Sequence, residues 1–363
     1  MKSTTRRTFL KEVAVLGAAA GGFPFIFVPK ARAAWTPGTQ VHPHVDNLRV
    51  VTLTDPAMTR AEATGIPWAR QEELVDPRAV SESMDRLACA LAQTRSPHEA
   101  WKAIFLKPPG KSWSDTVFAI KTNHISQQHT RSAVISKCCR VATEILGVKP
   151  TNVHIYDACH GSSMERDTPF RGLPQGVRIE NTWGGSNTST MIPKPWKDGS
   201  EKSECIEPLV KGVVDILVNI SMCKGHSPTF GSFTLTMKNH FGTFEPGPGH
   251  RQGALDYLLA INRTEEILGS VDPKSGRVLF PRQQLCIVDG LWSGKGGPSG
   301  HPSHQTNFLA MGVFSPAVDY QVATKFRAER MGWELNRKAV LRMLTDFGYS
   351  ESDLPEGGKL IEV

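Results

Sequence analysis

The sequence predicts an α/β fold, a mostly parallel sheet with flanking helices, arranged as one domain or as two intimately packed α/β lobes. Three observations carry this. Short β-branched runs alternate with amphipathic helical segments through most of the chain. Over 116–156 a strand, a helix and a second strand follow in order, a βαβ unit with parallel pairing and a right-handed crossover. Several strands also run directly into polar clusters, the pattern expected where a sheet opens onto a ligand crevice at its carboxyl edge.

The chain has 363 residues, 39% hydrophobic and 21% charged, the composition of a globular protein. Its formal charge of +7 belongs mostly to the first 33 residues, which hold Lys2, Arg6, Arg7, Lys11, Lys30 and Arg32 against Glu12. The remaining 36 basic and 34 acidic residues nearly balance, which removes the main support for a nucleic-acid role. Within that leader, Thr5-Arg6-Arg7-Thr8-Phe9-Leu10-Lys11 precedes a weakly apolar run over 13–28 and then Ala31-Arg32-Ala33. This resembles a twin-arginine export signal ending in a signal-peptidase site. The run is shorter than the roughly 20 apolar residues a spanning helix needs, and Gly21, Gly22 and Pro24 interrupt it. The reading is a mature chain starting at Ala34, without a membrane span, exported folded by the twin-arginine machinery to the periplasm or another extracytoplasmic space. That route commonly serves proteins loaded with a cofactor before export.

Residues 34–48, rich in Pro, Gly and His, read as an extended arm. The domain proper is expected over 49–347. RVVTLT (49–54) is its first strand. Val80, Met84, Leu87, Ala88 and Leu91 recur at helical spacing, so 79–94 is an amphipathic helix. TVFAI (116–120) is a strand that delivers Lys121, Thr122 and Asn123. Residues 131–146 are a helix with one broad apolar face, stopped at Gly147, in which Cys138 and Cys139 read as buried apolar side chains. The strand 152–156 ends in Asp157, Cys159 and His160.

Residues 161–206 form a long polar excursion with short strands such as 177–181, long enough to cover a site. Two strands follow, 213–221 and 231–236. The first ends in Cys223, Lys224 and His226, the second in Lys238, Asn239 and His240. A helix over 255–268 leads to a last strand, 284–288, ending at Asp289-Gly290. Its loop, LWSGKGGPSGHPS (291–303), offers backbone N–H groups at Gly296 and Gly297 for an anion, without Walker spacing. Helices over 317–331 and 334–347 close the domain, and 348–363 reads as a tail.

If the strands lie side by side, these polar groups converge. Lys224 and Lys238 are the candidate anion-holding and catalytic lysines, with Lys121, Asn123, Asn239 and Asp289 as further substrate contacts. A crowded cationic site also lowers a lysine pKa, making a base or a Schiff-base nucleophile. His226 and His240 admit two roles, a general acid and base pair or, with Cys223 and with Cys159 or His160, ligands of a transition metal. No C-x-x-C-H haem motif and no ferredoxin-type C-x-x-C occurs. His301 and His304 form an H-x-x-H pair in a loop, read equally as exposed residues or ligands. Asp157, Asp289 and Asp319 have a structural alternative as caps of the turns that follow strands.

Five stretches in this order and spacing resemble the domain-of-unknown-function family numbered 362: VFAIKTN (117–123), VNISMCKGH (218–226), FTLTMKNHFG (233–242), IVDGLWSGKGGPSG (287–300) and PAVD (316–319), with the helix and strand leading to Asp157. The resemblance runs from about Asp115 to Lys325. It implies an α/β protein of a group without an agreed activity. Some members carry an appended ferredoxin-like domain, which implies redox work, whereas this chain lacks the cluster cysteines.

The expected function is an exported enzyme doing redox or proton-transfer chemistry on a small anionic substrate in a Lys/His pocket, with a bound metal as one option. The alternatives are a non-catalytic cofactor-binding or assembly factor for an exported redox partner, and a metal-dependent isomerase or racemase.

Overall fold

The computed structural model describes residues 34–60, 65–158, 170–182 and 187–363. The leader, Cys159 and His160 lie outside the described residues, as does part of the excursion. Along the chain the strands are β1 (Val51–Thr54), β2 (Phe118–Lys121), β3 (His124–Ile125), β4 (Gln128–His129), β5 (Val153–Asp157), β6 (Arg178–Asn181), β7 (Asn187–Met191), β8 (Lys202–Ile206), β9 (Ile216–Met222), β10 (Lys224–Gly225), β11 (Phe233–Thr234), β12 (Gly269–Val271), β13 (Val278–Pro281), β14 (Gln283–Ser293), β15 (His304–Gly312) and β16 (Ile361–Glu362).

Eight of these form one sheet in the order β16-β1-β15-β14-β9-β2-β5-β6. All of its ladders are parallel except β15 against β14 and against β1. The fold is therefore α/β on a mostly parallel sheet. The central strands β9 and β14 are buried along their whole length, because helices cover both faces and neither face alternates with water. On these helices, Pro77–Ala92 and Ser132–Arg140 turn apolar stripes inward, and burial pushes the Cys138 thiol up to about 12.

Several boundaries differ from the sequence reading, each for a tertiary reason. The expected strand 231–236 is only β11, which pairs antiparallel with β10 in a small hairpin outside the central sheet. β14 does not stop before Asp289 but continues to Ser293, because β15 pairs with it past a bulge at Gly290 and Trp292. β15 itself begins at His304, whose ring packs against Trp333. The helix expected over 255–268 is two, Ala254–Ile261 and Glu265–Leu268, where Thr264 starts a new turn. The arm is packed rather than extended. Trp35 is buried against Phe314 and Phe347, and His42 pairs with the Ile104 carbonyl. The tail supplies β16, a parallel edge strand on β1. Residues Ala34–Val363 form one compact unit, not two lobes. Among the described residues no helix is long and apolar enough to cross a membrane.

The strand order also locates a crevice. From β2 the chain steps outward through β5 and β6, then returns to the other flank of β2 as β9 and continues toward β14. The loops after β2 and β9 thus leave in opposite senses, and a parallel sheet opens at such a switch point.

Candidate functional site

A cavity of about 720 Å³ lies at that switch point. The loop after β2 contributes Asn123, His124 and His129, and the loop after β9 contributes Lys224, His226, Thr234, Lys238 and Phe241. Glu245, Pro246, Gly247 and His250 complete one wall, and Pro298 reaches in from the Gly-rich loop.

Lys224 is fully buried at the start of β10, and its Nζ donates to Asn123 Oδ1 at 2.6 Å. The polarity of this contact is set from behind. Asn123 Nδ2 donates to Asn239 Oδ1 at 3.0 Å, and Asn239 Nδ2 donates to Asn219 Oδ1 at 2.8 Å. With its amide hydrogens committed there, Asn123 presents its oxygen to Lys224. Burial pushes the Lys224 pKa down to about 7, helped by the charge of Lys121 and opposed by Asp157.

Lys238 sits in the single turn Lys238–His240. Its Nζ lies 3.4 Å above the Phe241 ring centroid and 4.8 Å from that of Phe230. Burial, then the charges of Lys224 and Lys121, hold its pKa well below the ordinary lysine value. The Lys238 turn is fixed from the far side by Asp319, whose carboxylate accepts the Thr236 N–H at 2.7 Å and the Met237 N–H at 2.9 Å. Asp319, in the second turn of the helix Ser315–Gln321, is therefore a brace, and burial raises its pKa to about 7.

The lining histidines are electrically quiet at neutral pH. Burial lowers His226 to about 3, with Lys238 adding to the shift, and lowers His129 to about 2, with His124 adding. His250 is also lowered, first by burial and then by Lys238. Neutral imidazoles can accept or relay protons, so positive charge in the cavity comes from lysine, foremost Lys224, rather than from histidine.

Other sequence candidates fall outside the cavity lining. Lys121 Nζ is saturated by Asp157 Oδ1 at 2.6 Å, the Thr122 carbonyl at 2.6 Å and Asn239 Oδ1 at 3.4 Å, so it is a structural ammonium. His240 is fully buried with Gln283 Oε1 at 2.8 Å, Asn219 Nδ2 at 3.0 Å and Thr243 Oγ1 at 3.2 Å, and burial lowers it to about 3. Both ring nitrogens are engaged by protein partners, and His240 does not line the cavity. Asn239 is the inner link of the amide chain. Asp289 accepts the Arg131 N–H at 2.7 Å and the Leu291 N–H at 3.1 Å, anchoring the loop after β2.

Gly296 and Gly297 are not among the residues lining the cavity. The Gly296 carbonyl accepts the Gly225 N–H at 3.0 Å, and a Cβ on Gly297 would lie 2.2 Å from the Gly225 carbonyl oxygen. These glycines allow the backbone of that loop to lie against β10 and hold Lys224 in place. Cys223, His226 and His240 do not assemble a metal centre, since among the described residues no three His, Cys, Asp or Glu side chains gather as a metal-binding group. Cys223 instead lies 3.7 Å from Arg327 Nη1.

The sequence reading missed His124, His129 and His250. His124 was within reach of the strand-end argument, one residue past Asn123. His129 pairs with it across the β3–β4 hairpin, their ring centroids 5.1 Å apart. His250 comes from a loop with no local signal.

No family model matches this chain, and no curated protein or solved structure matches it significantly.

Proposed function

We propose that this chain is an exported enzyme that binds a small organic anion in the Lys/His cavity and carries out proton-transfer chemistry on it. One observation carries this reading: two buried lysines, Lys224 and Lys238, line one cavity, and no carboxylate pairs with either among the described residues. Buried lysines are ordinarily paired with an acid or reach out to solvent. A carboxylate or phosphate in the cavity would supply the missing counter-charge. His226 and His250 line the same cavity and would take or return the proton. The resemblance to the domain-of-unknown-function family numbered 362, some of whose members carry a ferredoxin-like domain, supports a redox step or an exported redox partner as an extension of the same reading.

Calorimetric titration with oxalate, acetate and phosphate, set against acetamide as a neutral isostere, tests the pocket. Binding of at least one anion is expected, weakened about 10-fold or more in Lys224→Met by loss of a charged hydrogen bond. Equal binding of acetate and acetamide would sink the proposal.

The Arg6-Arg7 leader supports export by the twin-arginine route. Fractionation of an export-competent host is expected to find the wild-type chain outside the cytoplasm and the Arg6→Lys, Arg7→Lys variant inside. Equal export of both would remove this part of the reading.

A further inference from the structure

We propose that the substrate carries a carbonyl group next to its anionic group, and that Lys238 Nζ condenses with that carbonyl to form an imine while Lys224 holds the anion. This deepens the anion-binding reading and rests on it.

The two lysines are not equivalent. Lys224 has an oriented acceptor, Asn123 Oδ1 at 2.6 Å, and the attraction of Asp157 behind it, so its ammonium form has support. Lys238 has neither. Among the described residues its Nζ has no hydrogen-bond acceptor and no carboxylate, only the ring faces of Phe241 and Phe230. Those rings favour an ammonium only weakly. Burial of the Lys238 side chain, and then the like charges of Lys224 and Lys121, disfavour an ammonium that has no protein acceptor. The balance favours the neutral amine, whose lone pair is what a nucleophile needs. A lysine serving only as an anion clamp would gain from an acceptor that kept it charged, and this one is given apolar surface instead.

The remaining parts are on the cavity wall. The amine lone pair forms the C–N bond as the carbonyl π pair moves to oxygen, giving a carbinolamine. Protons pass from nitrogen to that oxygen through His226 or His250, water leaves, and C=N remains. Amine and carbonyl become imine and water, with no oxidant or reductant required. An anionic group on the neighbouring carbon would lie against Lys224, so 2-oxo acids and small phosphorylated aldehydes or ketones are the fitting class. The imine then acts as the electron sink for breaking an adjacent bond, the kind of proton-transfer step the cavity histidines can serve.

The experiment is reductive trapping on the purified chain. Pyruvate and glyoxylate, with uncharged acetone as control, are each incubated with the protein and sodium borohydride, and modified lysines are mapped by peptide mass spectrometry. The expected result is one dominant adduct, on Lys238, formed with the oxo acids at least about 10-fold more than with acetone, given the value of a charged contact. Lys238→Met should abolish it, and Lys224→Met should reduce it toward the acetone level. Modification of Lys224 instead, or diffuse modification of surface lysines, would overturn the assignment of Lys238. No adduct while calorimetry still shows pyruvate binding would overturn imine formation and leave the anion pocket standing. No adduct and no binding of any anion would overturn both. The wild-type map decides among these outcomes even if a lysine variant fails to fold.

Discussion

The affinity of the cavity for a small organic anion is expected to fall as pH rises through about 7, and Lys224→Arg is expected to abolish most of that fall. With its pKa lowered to about 7 by burial, Lys224 in the free protein carries its proton below that pH and loses it above. An anion against Nζ favours the protonated form and raises the bound-state pKa. Affinity is then flat below about 7 and drops up to tenfold per unit between the free and bound values, with proton uptake on binding. A charged hydrogen bond worth about 1.5–3 kcal/mol sets the full drop at roughly 10- to 100-fold. The groups facing Lys224 leave this trend its sign. Asn123 does not titrate, His226 is already neutral, Lys121 is held by Asp157, and Lys238, with its own lowered pKa, pushes in the same direction. Arginine stays charged throughout, so the variant should bind with little pH dependence even if its affinity differs. Titration across about pH 6 to 9 in two buffers of different ionisation enthalpy measures both affinity and proton uptake. A wild-type affinity that is flat or rises over that range would rule out Lys224 as the anion's partner.

The largest stability effect is expected at Asp157, which the cavity chemistry does not touch directly. Its carboxylate pairs with Lys121 at 2.6 Å, both side chains almost wholly buried, and also accepts the N–H of His124 at 2.6 Å and of Ala158 at 2.8 Å. Asp157→Ala leaves Lys121 buried with only two neutral acceptors. Removing one partner of a buried pair costs about 3–5 kcal/mol. For a domain of this size that lowers the midpoint of thermal unfolding by roughly 5 °C or more. Adding Lys121→Met should recover part of the loss, because an apolar pair avoids the cost of a lone buried charge. A single variant within about 1 kcal/mol of wild type, the range of an exposed ion pair, would show that the pair is not a stabilising contact. The prediction bears on the site as well. Asp157 holds the backbone at His124, so the single variant should also loosen the loop that carries Asn123.

Part of this site was legible along the chain because its pieces are contiguous. A β-branched run followed by polar residues is visible at 118–123 and again at 216–226, and those two strands lie side by side at the switch point. Asn123, Lys224 and His226 follow from that rule, and Lys238 from its nearness to a second short strand. Lys121 and Lys224 look alike in sequence, each ending an apolar run. They diverge because β5 places Asp157 beside Lys121, while β10 turns Lys224 away toward the cavity. His226 and His240 looked like a pair, yet a single turn sends His240 down onto Gln283 of β14. Asp289 looked like a strand end until β15, pairing on its far side, carried β14 four residues further to Ser293.

By itself, the sequence determined the α/β class, the helical faces and the presence of polar clusters behind β2 and β9, since these follow from local periodicity and from residues adjacent in the chain. Only the tertiary structure decided which of those polar groups are satisfied by protein and which face the cavity. That depends on the neighbours that strand order supplies. A lysine with a buried carboxylate at 2.6 Å is part of the scaffold, and one resting on two phenyl rings remains available for a ligand.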